Sequence, residues 1–169
     1  MQALLQSISA LNPQILALDG EIAEISKQDA TCQRLMSVPG VGPITALRFC
    51  SALDDANRFA NASDVGAYLG LTPGEHSSGQ KKRRTHISKA GSAAVRRVLV
   101  QAAWCMLRTR PQDPMVRWAL QIAERRGKAI AAVALARKLA GLLYVLCKHQ
   151  TFYHPEHSTM TPSLSQKVA

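Results

Sequence analysis

Two serines stand beside a run of cations. Ser77-Ser78-Gly79 is followed almost at once by Lys81, Lys82, Arg83 and Arg84, with His76 just before. A serine hydroxyl next to cations is a sensible nucleophile for a phosphodiester. The cations hold the phosphate and stabilise the charge on the five-coordinate state. Serine at its ordinary pKa is weak, so it needs a base or a metal from elsewhere. His76 is adjacent in the chain, but neighbours in sequence rarely form a productive pair. The same residues also read as a solvated Ser-Gly turn in a loop that only binds a polyanion. The residues alone leave both readings open.

Other residues suit phosphate without chemistry. Pro39-Gly40-Val41-Gly42-Pro43 lies between two apolar stretches, with Pro43 at the first turn of a helix. Two glycines around one apolar residue, with free N–H groups at a helix start, make the pattern of a helix-hairpin-helix that grips a DNA backbone. A plain turn holding two helices is the alternative. Lys89 precedes a second helix start, and Arg96 and Arg97 ride its first turns. Arg137-Lys138 either snorkel from an apolar helix or join the same basic surface. Metal chemistry is not expected of this chain. Glu75, Asp113, Glu124 and Glu156 are scattered, and Asp54-Asp55 read as a loop or helix end. Cys32, Cys50, Cys105 and Cys147 have no C-x-x-C spacing, so buried reduced thiols are expected rather than zinc ligands.

These groups need a scaffold. The chain has 169 residues, 47% of them apolar and only 5% aromatic, which suits an all-α fold with a real core. Its net charge is +10, unevenly placed. Residues 1–74 hold 4 basic and 7 acidic groups, net −3, which leaves 17 basic and 4 acidic, net +13, for residues 75–169. A polyanion partner for the second half follows, against the blander reading of a solvated basic surface.

Leu4, Ile8, Leu11, Ile15, Leu18, Ile22 and Ile25 step by four and three, a heptad seam over residues 3–27. Asn12-Pro13 interrupts it, giving either a kinked long helix or a turn and a new helix. The seam either pairs with another copy or docks on its own domain. A helix is expected from Pro43 to Leu53 with Ile44, Leu47 and Leu53 inward. A short one follows from Ala62 to Leu71, with Ser63 as N-cap and Val65, Tyr68 and Leu69 inward. Residues 74–91 read as a long polar loop, since no strand pattern shows. Residues 92–148 read as helices, with Met115, Trp118, Ala119 and Ile122 inward in one, and 129–147 as the longest and most apolar. Its run is broken by Arg137 and Lys138, so it is not a membrane span. The start has no basic n-region or apolar core, so no signal peptide is read and a reducing cytoplasm is the expected setting. Residues 151–169 read as a disordered tail.

The ordered set L-M-S-V-P-G-V-G-P-I-T-A, R-F-A-N-A-S-D-V-G-A-Y-L-G-L-T-P, S-S-G-Q-K-K-R-R-T-H-I-S-K-A-G, R-R-V-L-V-Q-A-A-W, R-G-K and A-R-K-L-A spans residues 34–148. It resembles the C-terminal domain of IS-110 (IS-116/IS-902) type insertion-sequence transposases. That resemblance implies a division of the chain. Residues 1–30 would end a coiled-coil linker. Residues 34–148 would be the transposase domain, with its helix-hairpin-helix at 35–53. The resemblance implies a serine that attacks DNA and becomes joined to it. The serine before glycine in the basic loop matches, which puts the role on Ser78, with Ser77 as the fallback. Pro39, Gly40, Val41, Gly42, Lys81, Lys82, Arg83, Arg84, Lys89, Arg96 and Arg97 would hold DNA. It further implies oligomers through residues 3–27, an element-encoded guide RNA in some members, action beside the bacterial nucleoid, and Mg²⁺ held by an N-terminal RNase-H-like domain. That domain is missing from this sequence, so the chain is expected to be incomplete and inactive alone. The other reading is a non-catalytic DNA-binding remnant.

Overall fold

A computed structural model describes residues 2–78 and 81–155. Seven helices and one small sheet follow in chain order among them: α1 (Gln2–Gln28), α2 (Ala30–Met36), α3 (Pro43–Leu53), α4 (Ala62–Tyr68), β1 (Pro73–Ser78), β2 (Lys81–Ile87), α5 (Ala93–Thr109), α6 (Pro114–Arg126) and α7 (Lys128–His149). The protein is all-α apart from that hairpin.

The helix α1 runs unbroken through Pro13, so the kinked-or-split alternative resolves to one helix about 40 Å long. It, not α7, is the longest. Leu4, Ile8, Leu11, Ile15, Leu18 and Ile25 stay exposed along it. Only its end meets the domain, where Ser26 is buried and donates its hydroxyl to the Ile22 carbonyl at 2.6 Å.

The core is centred on α7. Leu135, Leu139 and Leu143 are fully buried, and the helix lies against α4, α5 and α6. It is long and apolar enough to cross a membrane by length and composition, and half of its most apolar stretch is buried inside this fold. From α5 come Val95, Leu99 and Met106, from α6 Met115, Val116 and Ala119. Phe49 of α3 and Leu35 of α2 close the other side.

Helix ends follow local chemistry. Asn61, not Ser63, caps α4: its side chain accepts from the Ser63 and Asp64 N–H groups at 2.9 and 3.1 Å. Ser92 caps α5 and Asp113 caps α6. Pro43 opens α3 and Pro114 opens α6, where a missing N–H is harmless.

Four further expectations are corrected. Ile44 is 39% exposed, and Thr45, Ala46 and Phe49 take the inward places. Tyr68 and Trp118 are also outside. Tyr68 keeps an edge-on contact with Phe59 at 5.2 Å between ring centres. The tail does not begin free at residue 151. Tyr153 is buried, its N–H donates to Ser37 Oγ at 2.9 Å, and its hydroxyl donates to Asp113 Oδ2 at 2.6 Å. Backbone and side chain of this residue together tie the α2–α3 turn to the start of α6. Residues 156–169, the rest of the expected tail, lie outside the described residues.

The fourth correction concerns the basic segment. Pro73–Ser78 and Lys81–Ile87 pair as antiparallel strands rather than forming a loop. Glu75 pairs with Arg84, His76 with Arg83, Ser77 with Lys82 and Ser78 with Lys81, and a bulge separates these from the Pro73–Ile87 pair. Cross-strand backbone bonds satisfy N–H and C=O groups without any apolar face, so polarity here did not mean loop. A signal existed in the sequence: glycine followed by one polar residue, Gly79-Gln80, is a pair that favours a tight hairpin turn. Those two residues lie outside the described ones.

Candidate nucleic-acid interface

The hairpin is anchored at its base by backbone. Ser88 N–H donates to Thr72 O at 2.8 Å and Lys89 N–H to Gly70 O at 3.0 Å. Gly70 has φ +68°, and a side chain there would begin 2.5 Å from the Ala90 nitrogen. Gly91 is tighter still, with 2.0 Å to the Tyr68 oxygen. Two chain segments, 68–72 and 88–91, thus touch main chain to main chain, and glycine is what lets them.

Arg96 completes the anchor. Its Nη1 donates to the Leu69 carbonyl at 3.2 Å and also to the Gly91 carbonyl. The guanidinium expected on DNA is therefore engaged with the protein's own backbone. Arg97, one residue on, is exposed, as is Lys89, which sits at φ +57°. The register sets the backbone of Ser78 against Lys81 and of Ser77 against Lys82.

The glycine turn is divided in the same way. Gly40 has φ +82°, and a Cβ there would meet the Ala102 oxygen at 2.9 Å and Met106 Cγ at 3.0 Å. It serves close packing on α5, and Val41 is buried beside it. Gly42 caps α3 and has nothing within 4 Å of where a side chain would start. Pro39 is half-buried. Arg137 passes its stem by Gly66 of α4, and the Lys138 ammonium sits 4.8 Å from the centre of the Trp118 ring. Both lean on the fold rather than standing free.

Charge bookkeeping by halves missed one feature. An open groove of about 660 Å³ runs between α3 and the start of α5, lined by Arg48, Ser51, Arg58, Tyr68 and Ser92 among others. Its arginines come from the acidic half, where a net count hid them.

Three of the thiols cluster. Cys32 Sγ lies 3.9 Å from Cys50 Sγ. Burial, then the neighbouring Cys50 and Asp29, push the Cys32 thiol up to about 12. The neighbouring Cys147 thiol and then burial hold Cys50 up, and Cys50 in turn lowers Cys147. The unfolded Cys32 ionises near 9. Between those two values the unfolded chain releases a proton that the folded chain keeps, so stability falls as pH rises from about 9 toward about 12. Below that window Cys32 adds no pH dependence. Urea midpoints measured upward from about pH 8 should show this loss, and Cys32→Ala should lessen it, leaving the part that the raised Cys50 contributes. A midpoint independent of pH in the native chain contradicts this placement of Cys32.

For the Mg²⁺ that the resemblance implies, the described residues offer no donor set. Among the described residues no group of three or more His, Cys, Asp or Glu side chains converges to hold a metal ion.

The described residues form a helical domain that carries one Lys/Arg-rich hairpin. The model of the transposase IS116/IS110/IS902 family matches residues 32–120, more than half of the chain, and the chain belongs to that family. It is 34% identical over 157 residues to a probable family 20 transposase of Pseudomonas aeruginosa, covering 92% of this chain and 46% of that protein. It is 36% identical over 135 residues to the transposase for insertion sequence element IS1111A of Coxiella burnetii, covering 79% and 37%. With the transposase for element IS1328 of Yersinia enterocolitica it shares 34% over 150 residues, covering 88% and 45%. The chain spans less than half the length of these curated relatives.

Proposed function

We propose that this chain is the DNA-engaging part of an insertion-sequence transposase and that Ser78 is its nucleophile. The observation that carries the reading is the hairpin register. In a member of a transposase family, it sets Ser78 directly across from Lys81, where the strands end. In the step, Ser78 Oγ attacks a backbone phosphorus and its proton leaves to solvent. The Oγ–P bond forms, the bond from phosphorus to one deoxyribose oxygen breaks, and that oxygen takes a proton. Lys81, Lys82, Arg83 and Arg84 stabilise the added charge. A rigid base, tied through Gly70, Gly91 and Arg96, supports a fixed position for the serine. The exposed seam of α1 supports pairing with a second copy, which would bring two such hairpins to one DNA.

The test is a denaturing gel. Element-end DNA is mixed with the chain, with and without Mg²⁺ and the N-terminal half that a full-length relative supplies. A protein–DNA adduct is expected with Ser78 and with Ser77→Ala, and none with Ser78→Ala. No adduct in any mixture, or an adduct with Ser78→Ala, sinks the reading. Gly42 favours the second reading, a DNA binder without chemistry. Open space beside it leaves the start of α3 accessible to a phosphate. DNA binding without any adduct would select that one.

A further inference from the structure

Both tryptophans of this aromatic-poor chain lie outside: Trp104 is 42% exposed and Trp118 38%. Burying an indole removes more apolar surface from water than burying almost any other side chain, so an exposed one is a feature to explain. Trp118 is covered in part by Lys138. Trp104 has no ring or cation partner among the described residues.

Trp104 also has a pattern around it. Arg97, Gln101, Trp104 and Arg108 step by four, three and four, and all are exposed. At this spacing they form one stripe along α5. Val95, Leu99, Ala102 and Met106 occupy the opposite side and are buried. The two arginines stand about 16 Å apart along the axis, with the indole and the Gln101 amide between them. The stripe begins just beyond the base of the hairpin. From Lys89 to Lys128 the chain carries nine basic and two acidic residues. One of the acids, Asp113, is held by Tyr153. The complementary partner is therefore a polyanion, and an indole among arginines suits one that offers flat, open bases. Bases inside a duplex have both faces covered, whereas those of an unpaired strand do not.

We propose that the outer face of α5 holds an unpaired nucleic-acid strand, with a base stacked on Trp104 and its neighbouring phosphates on Arg97 and Arg108. This rests on the nucleic-acid reading above and adds to it the strand state and the contacting residues.

The test uses the full chain carrying Trp118→Phe, which leaves Trp104 as the single indole. Unpaired DNA, unpaired RNA of the same sequence, and duplex DNA are titrated separately at low salt. Indole fluorescence reports stacking, and anisotropy of a labelled oligonucleotide reports binding. The expected result is quenching by an unpaired strand and little by duplex; the DNA and RNA arms show which strand the face prefers. Trp104→Ala should weaken unpaired-strand binding about tenfold or more, with duplex affinity and melting temperature unchanged. Arg97→Ala with Arg108→Ala should lower the salt slope for the unpaired strand by about 1.4. Binding with unmoved fluorescence, or equal quenching by duplex, overturns the inference and leaves the nucleic-acid reading standing. No binding to any of the three overturns both.

Discussion

Gly91→Ala is expected to be the most damaging single substitution in the described chain. The new methyl would begin 2.0 Å from the Tyr68 carbonyl oxygen and 2.9 Å from Leu69 Cα. Both are backbone atoms, so no flexible side-chain end can swing aside. Overfilling a packed site costs about 1–3 kcal/mol where side chains can shift. Here two chain segments must separate, so a loss of about 3 kcal/mol or more is expected. In a chain of this size that lowers the melting temperature by roughly 6–12 °C. The hydrogen bonds at the hairpin base, Lys89 to Gly70 and Ser88 to Thr72, would go with it. Thermal melting by circular dichroism checks this, and a native melting temperature in the variant would refute the close approach.

The second large effect is expected from Arg96→Ala. It removes the donor shared by the Leu69 and Gly91 carbonyls. Hydrogen bonds to a charged group contribute about 1.5–3 kcal/mol each. Arg96 is only half-buried, so the pair together is taken as about 2–4 kcal/mol. The distinguishing feature is what changes. Arg96→Ala should lower the melting temperature and leave the salt slope of DNA binding nearly unchanged. The adjacent Arg97→Ala should do the reverse, lowering the slope by about one at native stability. A reduced slope with native melting for Arg96→Ala would return that residue to the DNA surface.

These two arginines show how far residue type carries. Adjacent and chemically identical, they read alike in the sequence. A rotation of about 100° between neighbours on a helix sends one toward the α4 end and the other to solvent. The same holds for the glycines. Gly40 and Gly42 form one motif by spacing, yet one faces α5 and the other open space. Gly91 gave no signal at all, because the chain it touches is more than twenty residues away.

Other features were legible in the residues. The bounds of α3 follow from Pro43 and the break after Leu53, and the heptad seam of α1 follows from its steps of four and three. Trp118 was misplaced because helical spacing marks a face and cannot tell whether another element covers it. The hairpin went unread because the usual strand signal is apolar alternation, and this one has no apolar face to alternate.

Local rules thus settled what is local in cause: the bounds of α3, the heptad seam of α1, the basic half and the serine beside its cations. They also carried the family likeness, since that lies in motifs along the chain. Tertiary structure alone decided which arginine is free, which glycine is packed, where Tyr153 docks and that Trp104 looks outward. Each of those depends on a contact between distant segments. No spacing along one segment encodes what will lie against it.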